Sequence, residues 1–514
     1  MAAALVLGAL SISAAATAQP LEAGDEWTPA DEAARAPHHL RSWWQMGGGL
    51  ALGTGGYFLL LNRNIVDWDS PALKQRFDGS AWVVDNNNLG VNFLGHPATG
   101  GLSHVFARAN HQSMLGAFGY SFVTSFIWEF AIEFKEKVSV NDVIVTPGAG
   151  LPIGEFFYKL GLYLDTGHRD SLGADVARWL LGTGVMVDRK LDGRAAPRVR
   201  SRDSLGFSSE IWHEFAASYG VRWVATPALT DYSRLDFDVR ARLVTLDGYG
   251  KPRSFGRAFW SGEISDLSLG TEASRHGAGL RARADTFVAG YHAQRYTRSD
   301  AQLTGVATTL GTSVGFEYLY SSANRYAAVE AAVAQPKPNV KYHVPRRREQ
   351  YGALQLPGLA AELKVASAWG NLALAARAQP SFAGLSAAAF YDWTAAHPDE
   401  RSKHVLHRQG YFYGWGGAGH FEARLAWGAL RAGAELSYAA YTSQNGLDRH
   451  RAQVTNDTTV TGSLLRYGAS LGLAPRADLQ LSLDYGVRRF RSQVVDFERT
   501  ARLEERGVSA RWTF

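Results

Sequence analysis

The sequence predicts a mainly β protein, a transmembrane antiparallel β-barrel of about twelve strands, preceded by an α-helical region packed in or against the barrel. Three observations predict this class. The second half of the chain alternates apolar and polar residues over stretches longer than about nine residues, the span of a tilted membrane strand. Short turns and longer polar loops alternate between these stretches. The 514 residues include 54 Gly, 25 Phe, 21 Tyr and 15 Trp, residue types typical of barrel walls.

Composition and charge exclude several other classes of protein. The chain has no Cys, which excludes disulfide scaffolds, thiolate metal sites and Cys nucleophiles. Its 53 Lys and Arg nearly balance its 48 Asp and Glu, so no nucleic-acid partner is expected. The sequence contains no Walker loop, HExxH motif or GxSxG motif, and we expect no cofactor.

The first 42 residues form two segments. Residues 1–18 are apolar and end in small residues, which predicts a secretory signal peptide and its cleavage site. A basic start is missing, and the alternative is a short apolar helix that the mature protein keeps. Residues 19–42 are acidic and then contain prolines, so we expect an exposed leader.

Strand-like alternation extends over residues 201–514, the predicted barrel domain. In residues 479–487 every odd position is apolar, which predicts a strand with one apolar face. About thirteen segments qualify, and because bacterial barrels normally have an even strand number we expect twelve, with fourteen as the alternative. The weakest candidate is the first, where Glu210, His213 and Glu214 interrupt the pattern. The clearest other segments are 235–243, 280–284, 359–365, 430–441 and 464–473.

The connections between the predicted strands differ in length. Short turns are expected at 275–277, 322–324, 369–370, 428–429 and 475–476. Longer polar loops are expected at 247–257, 335–351, 392–409 and 443–458. Aromatic residues near strand ends, at 390–393 and 411–415, predict a girdle at the membrane interface.

The C-terminus resembles the final strand by which outer-membrane barrels are recognised for assembly. Alternation continues to the last residue, and we expect Trp512 and Phe514 to form the assembly signal. The expected location is therefore the outer membrane of a Gram-negative bacterium. The expected partners are outer-membrane lipids, lipopolysaccharide and the barrel assembly machinery. Basic residues at 189–202 and 346–348 are candidates for lipopolysaccharide phosphates, with solvated charged loops as the alternative.

Residues 43–200 are predicted to form a mostly helical region. Residues 43–61 and 113–134 are apolar over helix-like lengths, so an inner-membrane protein with spanning helices is the alternative. Glycines weaken a helix at 43–61, and that alternative leaves the long barrel-like alternation unexplained. We therefore expect the helices to plug or cap the barrel.

An ordered set of short motifs lies within the helical region. Their ranges are 92–97, 100–101, 107–110, 125–129, 139–142 and 154–155. The set covers roughly residues 80–165 and resembles an uncharacterised bacterial envelope family, domain of unknown function 3943. The sequence departs from that pattern at Gly95, where Asn is expected before His96. The resemblance implies a Gram-negative envelope protein without an assigned activity.

Charged motif residues predict a polar cluster between helices. Glu129 and Glu133 are four residues apart and share a helix face, as do His104, Arg108 and His111. The favoured interpretation is a buried network in which Arg108 neutralises the two Glu carboxylates. The expected members of this polar network are His96, His104, Arg108, His111, Glu129, Glu133, Asn141, Asp142 and Glu155.

Two other interpretations of this cluster remain open. His96, Glu129 and Glu133 are candidates for acid/base catalysis, and imidazoles with carboxylates also suit a divalent metal, although no metal ligand is assigned. The predicted function is a non-enzymatic envelope barrel with a channel, transport or structural role. The alternative is an envelope enzyme that modifies lipid or lipopolysaccharide, so the sequence leaves enzymatic activity undecided.

Overall fold

The computed structural model describes residues 27–514 except 62–70, 135, 168–171, 227–228, 300–301, 323–348, 398–399, 401 and 448–457. The expected signal peptide lies outside the described residues. Of the expected exposed leader, the structure describes residues 27–42, most of which are exposed or half-buried, although Trp27 and Glu32 are buried. The Glu32 carboxylate accepts hydrogen bonds from Trp27 Nε1 at 3.2 Å and from Arg194 at 3.0 Å.

The N-terminal part of the chain is helical. Its helices are α1 (Pro29–Ala33), α2 (His39–Gly56), α3 (Leu73–Phe77), α4 (His96–Ala109), α5 (Met114–Ile127), α6 (Val140–Asp165), α7 (Leu172–Leu181) and α8 (Thr183–Leu191). Single π-helical turns extend three of them, with Tyr57–Leu61 after α2, Val91–Gly95 before α4 and Trp128–Ile132 after α5. Two short strands, β1 (Trp82–Val83) and β2 (Val138–Ser139), pair in parallel.

A closed antiparallel barrel follows, built from the segments that alternate in sequence. Its strands are β3 (Trp212–Thr226), β4 (Leu229–Val244), β5 (Ser254–Phe259), β6 (Ile264–Ser274), β7 (Gly277–Ser299), β8 (Gln302–Ser321), β9 (Glu349–Ala366), β10 (Gly370–Ser386), β11 (Tyr411–Trp427), β12 (Leu430–Ser443), β13 (Val460–Arg476), β14 (Leu479–Val494) and β15 (Phe497–Thr513). Helices α9 (Ala389–Ala396) and α10 (His404–Gln409) lie in the connection between β10 and β11. Pairing of β15 with β3 closes the ring.

The ring has twelve strands, as the sequence predicted. Strands β5 and β6 pair one after the other with β7, so together they form a single interrupted strand. The weakest candidate segment is a true strand, β3. Its sequence pattern is interrupted because Glu214 faces the lumen and pairs with Arg424 at 3.2 Å, whereas His213 faces outward against Tyr163 of α6.

Ion pairs that cross the barrel identify the inner face of the wall. Arg240 on β4 contacts Glu422 on β11 at 3.3 Å, and Arg377 on β10 contacts Asp266 on β6 at 3.2 Å. Residues that alternate with these point away from the lumen. On β4, the outward residues Leu235, Phe237 and Val239 are large, apolar and exposed. The wall therefore has the charged inner face and apolar outer face of a membrane barrel.

The two ends of the barrel differ. Phe514 and the turns at 367–369, 428–429 and 477–478 lie at one end, named here the C-terminal end. The strand ends that flank the longer connections, between β8 and β9, β10 and β11, and β12 and β13, lie at the other, named the loop end. One predicted long loop departs from this order, because residues 245–253 lie at the C-terminal end. There Lys364 of the lumen donates a hydrogen bond to Tyr249 Oη at 3.1 Å.

The helices pack on the outer wall of the barrel. Ala282, Ala284 and Phe316 alternate with lumen-facing charges on β7 and β8, and they share a core with Val145 and Ala149 of α6. None of the described residues from 27–211 lines the main lumen cavity. Of the two predicted arrangements, packing against the barrel is therefore confirmed, and a plug inside it is wrong for the described residues. Alternation reveals which wall residues face outward, but it does not distinguish those that meet lipid from those that meet a helix.

Four helical segments run along this wall. Helices α4 and α6 run in parallel from the loop end, while α2 and α5 run in the opposite direction. With 26 residues at about 1.5 Å each, α6 is long enough to cross a bilayer. Met114–Ile132 is also long and apolar enough to do so. We name these four segments the helical layer.

We predict that an arginine on the lipid-facing wall destabilises the barrel more than one in the lumen. Leu471 on β13 is outward and exposed, five residues before the strand ends, whereas Ala375 on β10 lines the lumen cavity. Leu471→Arg should lower the free energy of unfolding by about 2–4 kcal/mol, because the guanidinium enters hydrocarbon. Urea unfolding in lipid vesicles, followed by Trp fluorescence, measures this. Equal losses for Leu471→Arg and Ala375→Arg would contradict the assignment of faces.

Candidate functional sites in the helical layer and the lumen

The first candidate site lies at the loop end of the helical layer. We name His96, Glu129 and Asp142 the acidic cluster. His96 is the first residue of α4, Glu129 lies in the π-helical turn after α5, and Asp142 lies in the first turn of α6. Ser139 caps α6, and its hydroxyl accepts a hydrogen bond from the Asp142 backbone N–H at 3.3 Å.

The three side chains of the acidic cluster converge. One potential metal-binding atom of each lies within 4.8 Å of those of the other two. His96 Nε2 is 3.6 Å from Asp142 Oδ2, and His96 Nδ1 is 3.3 Å from Thr146 Oγ1. The Asp142 carboxylate also accepts hydrogen bonds from Ser139 Oγ at 2.7 Å and from Asn141 Nδ2 at 2.9 Å. These contacts fix the orientation of both His96 and Asp142.

The acidic cluster lacks compensating positive charge. Glu129 is 1% exposed and Asp142 is 2% exposed. No described Lys or Arg side chain lies within ion-pair distance of either carboxylate, and Glu129 Oε2 has no described hydrogen-bond partner. Arg76 lies nearby, but its guanidinium donates to backbone carbonyl oxygens, including those of Glu129 at 3.2 Å and Phe130 at 3.0 Å.

Asp85 links the acidic cluster to the barrel wall. Its carboxylate accepts hydrogen bonds from Asn92 at 2.6 Å, from Asn141 at 3.1 Å and from the Tyr413 hydroxyl at 2.8 Å. Tyr413 points outward from β11, as does Tyr411, whose hydroxyl donates to the Asn87 carbonyl at 2.8 Å. The expected aromatic girdle is therefore wrong at these two tyrosines, because they bind the segment that leads into α4.

A second polar group, which we name the Glu155 cluster, lies between α4, α6 and the barrel. The Glu155 carboxylate is 2.9 Å from His104 Nε2, 2.6 Å from Arg108 Nε and 3.0 Å from Lys159 Nζ. Lys159 also donates to Ser265 Oγ on the outer face of β6 at 2.9 Å. The predicted pairing of Arg108 with Glu129 and Glu133 is wrong, because Arg108 pairs with Glu155 instead.

Close packing of α4 against α6 creates the Glu155 cluster. A Cβ at Gly100 would lie 1.8 Å from the Thr146 carbonyl oxygen, and one at Gly154 would lie 2.7 Å from His104 Cβ. Only glycine fits at such distances. The motif glycines therefore allow a helix contact that brings residues 51 apart in sequence, His104 and Glu155, into hydrogen-bond distance.

Of the two remaining predicted network residues, Glu133 lies close enough to the acidic cluster to interact electrostatically with Glu129, whereas His111 belongs to a separate group. The Glu133 carboxylate accepts a hydrogen bond from Trp128 Nε1 at 2.8 Å. His111 lies 3.7 Å from both Glu32 and Asp188. The predicted network is thus three separate groups, and its partners Arg76, Asp85, Lys159, Glu32 and Asp188 were not predicted. Lys159 follows Glu155 by four residues on α6, so helical spacing could have identified that pair. The contacts of Arg76, Glu32 and Asp188 with the network residues join positions far apart in sequence, and no local spacing identifies them.

The third group, around His111, is neutralised by arginines. His38, His111 and Asp192 each offer one atom within 4.8 Å of the others, the same spacing as in the acidic cluster. Here Arg41 contacts Asp192 at 2.5 Å and Arg194 contacts it at 3.0 Å. Burial alone would raise the pKa of Asp192, but the nearby His111 and the hydrogen bond from the Arg41 guanidinium lower it below its usual range.

The lumen is a second candidate functional site. It contains a cavity of about 1110 Å³ that reaches the C-terminal end, where Trp369, Gly428 and Thr513 line it. Its charged lining includes Glu214, Arg242, Asp266, Arg283, Glu362, Lys364, Arg377, Glu422 and Arg424. Basic and acidic side chains alternate around the cavity and pair across it.

Apolar side chains close the lumen at the loop end. Phe390 and Trp393 of α9 are buried there, so they do not form the expected membrane girdle. The strand residues packed with them include Leu319, Tyr351, Leu385, Phe412, Tyr441, Leu464, Phe490 and Val494. We name this group the apolar closure.

Comparison with known families confirms the resemblance found in the sequence. Residues 81–183 match the domain of unknown function DUF3943. This segment contains the acidic cluster, the Glu155 cluster and the closely packed helices α4 and α6. The DUF3943 segment is thus the part of the chain that packs on the outside of the barrel.

Comparison with other known proteins adds no activity. No curated protein matches the chain. Among solved structures, the translocator domain of autotransporter NalP from Neisseria meningitidis is similar at 10% identity and a TM-score of 0.23, covering 59% of this chain and 88% of that one. The Acinetobacter baumannii outer membrane protein Omp33 is similar at 9% identity and a TM-score of 0.18, covering 59% and 99%. The strand pairing itself defines the fold, an outer-membrane β-barrel.

We predict that Glu155 is the central residue of its cluster. Glu155→Gln should destabilise the protein by about 3–5 kcal/mol, because it leaves Arg108 and Lys159 buried without a counter-charge. Arg108→Ala should cost less, since Lys159 and His104 still contact Glu155. Urea unfolding in detergent measures both, with Arg491→Ala in an exposed pair as the control. If Glu155→Gln unfolds at the wild-type urea concentration, the cluster does not stabilise the layer.

Proposed function

We propose that this protein is a non-enzymatic outer-membrane barrel that passes small polar solutes through a gated lumen. The observation that carries the proposal is the cavity of about 1110 Å³, which is open at the C-terminal end and closed by apolar side chains at the other. Such a volume accommodates a small molecule. In this proposal the cavity is the wide part of the pathway and the apolar closure is its gate.

The lining of the cavity suits polar solutes, and it contains somewhat more basic than acidic side chains, many of them in ion pairs. Ion pairs such as Arg242 with Glu362 at 2.5 Å and Arg377 with Asp266 at 3.2 Å cross the lumen. Because these groups are paired, they present a polar surface without a strong net field. The same pairs narrow the pathway, which supports a limit to small solutes.

Helix α9 is the part of the gate that can move most easily, because it lies in a connection between strands and is not hydrogen-bonded into the sheet. One contact with the barrel wall is a hydrogen bond that the Ala389 N–H donates to Ser492 Oγ at 3.0 Å. At the rim, Arg499 donates to the Asp392 carboxylate at 2.8 Å. An exposed pair of this kind is weak. Movement of α9 would withdraw Phe390 and Trp393 from the lumen, and wetting of an apolar constriction opens a pore.

We also propose the outer membrane of a Gram-negative bacterium as the location of the barrel. The apolar outer wall supports contact with outer-membrane lipids, and the short turns at the C-terminal end support a periplasmic position for that end. The basic stretch at 189–202 lies near this end and Arg194 is paired with Glu32, so lipopolysaccharide is not its partner in this proposal. The residues at 346–348 lie outside the described residues.

A second candidate function, an envelope enzyme acting on lipid, is favoured by one observation. His96 retains 20% side-chain exposure at the surface of the helical layer, beside the buried carboxylates of Glu129 and Asp142. Asp142 thereby replaces Glu133 in the catalytic set expected from the sequence. A change in extracted envelope lipids that Glu129→Gln abolishes would favour the enzyme.

We predict that the last strand determines assembly. Phe514 N–H donates to the Phe215 carbonyl at 2.8 Å, at the seam where β15 meets β3. Deleting Phe514 should lower the amount of heat-modifiable barrel in the outer-membrane fraction, because the seam strand also carries the proposed assembly signal with Trp512. Leu471→Ala, on the same outer wall, is the control. Fractionation of the intact protein with the inner membrane would contradict the proposed location.

We predict that opening the apolar closure increases permeability. Phe390→Ala combined with Trp393→Ala removes two large side chains from the gate and should raise the swelling rate of proteoliposomes in arabinose severalfold over wild type. Leu471→Ala, outside the lumen, should swell at the wild-type rate. If the folded double variant is as impermeable as wild type, the lumen is not a solute pathway and a structural role is favoured.

A further inference from the structure

We propose that His96, Glu129 and Asp142 bind a divalent transition-metal ion that joins helices α4, α5 and α6 at the loop end of the helical layer. The cluster belongs to the DUF3943 segment and is separate from the lumen. This inference therefore does not depend on the proposed channel function.

The donor atoms have the chemistry and spacing that such an ion needs. One imidazole nitrogen with two carboxylate oxygens suits Zn²⁺ or Mn²⁺, whereas Mg²⁺ and Ca²⁺ prefer sites built only from oxygen. Tetrahedral ligand atoms around Zn²⁺ are about 3.4 Å apart when the bonds are about 2.1 Å. The observed 3.6 Å between His96 Nε2 and Asp142 Oδ2 is close to that spacing, and the Glu129 oxygen lies within 4.8 Å of both donor atoms.

Charge gives the second, independent indication of a cation. Glu129 and Asp142 are buried, and no described Lys or Arg pairs with them. Glu129 offers one carboxylate oxygen to the cluster, and its Oε2 has no described hydrogen-bond partner. Leaving a buried carboxylate oxygen unpaired costs free energy that a bound cation recovers. The Glu155 cluster, in the same layer, has its carboxylate satisfied by Arg108 and Lys159.

Surrounding residues orient the ligands as they do in metal sites. Thr146 Oγ1 contacts His96 Nδ1, which directs Nε2 toward the carboxylates. Ser139 and Asn141 donate to the Asp142 carboxylate. Outer contacts of this kind fix the tautomer and orientation of metal ligands. The partial exposure of His96 provides an entry path, and three protein ligands leave a coordination position open.

The group of His38, His111 and Asp192 provides an internal control. Its donor atoms have the same spacing, but Arg41 and Arg194 already neutralise Asp192. We therefore expect no bound metal there. Because the two groups share donor spacing but differ in nearby positive charge, comparing their metal binding separates the contribution of charge from that of geometry.

The experiment uses the full-length folded barrel in detergent, without an affinity tag, stripped with EDTA and then dialysed against Zn²⁺ or Mn²⁺ alone. Bound metal is measured by mass spectrometry, and the midpoint of heat-induced unfolding is measured with and without the ion. Wild type and His111→Gln should each retain one ion per chain and gain thermal stability. His96→Gln and Glu129→Gln should bind at least about tenfold more weakly, since even outer-contact changes cost about 10–100-fold.

The metal-free proteins distinguish this site from a purely structural network. Without metal, Glu129→Gln should be as stable as wild type or more stable, because it removes an uncompensated buried charge. The proposal would be overturned if Glu129→Gln were less stable than wild type while Zn²⁺ and Mn²⁺ left the unfolding midpoint of wild type unchanged. It would also be overturned if both His96→Gln and Glu129→Gln retained the metal. If Glu129→Gln does not fold, metal content and thermal shift of His96→Gln decide between the same outcomes.

Discussion

Closure of the backbone hydrogen bonds around the ring is the constraint on which the structure depends. A spanning sheet with a free edge would expose unpaired N–H and C=O groups to hydrocarbon, and pairing of β15 with β3 removes that edge. Closure also gives every strand one face toward the lumen and one away from it. The period of two along each strand thus places charged residues inside and apolar residues outside, and both candidate sites follow from this separation.

The helical layer changes what the outer face needs. Lipid cannot satisfy a hydroxyl, yet Tyr411 and Tyr413 point outward from β11, and Ser265 does so from β6. Each of these groups has a partner in the N-terminal region: Asn87 for Tyr411, Asp85 for Tyr413 and Lys159 for Ser265. These contacts from polar atoms of the outer wall are therefore evidence that the N-terminal region and the barrel form one folded unit here.

The sequence predicted the barrel well because strand alternation is a local property. It left open whether the helices pack in the barrel or against it, because Ala282, Ala284 and Phe316 have the same apolar character whether they face lipid or a helix. Site prediction failed for a related reason. Spacing along one helix correctly groups His104 with Arg108, but Glu155 lies on another helix, and its approach depends on close contacts at Gly100 and Gly154. Asp85 carries no local signal, since its role arises from Tyr413 more than three hundred residues later.

The two buried clusters of the layer differ in the sign of their charge balance, and this difference separates their roles. In the Glu155 cluster, one carboxylate pairs with two cationic side chains, those of Arg108 and Lys159. Its negative charge is therefore already compensated, and no further cation is needed there. Two carboxylates in the acidic cluster meet one imidazole, and an oxygen of Glu129 is left over. In a low-dielectric layer such an excess of negative charge is costly, and either a proton or a metal ion must reduce it. The oriented imidazole favours the metal ion, because a proton on a carboxyl group requires no preorganised nitrogen donor beside it.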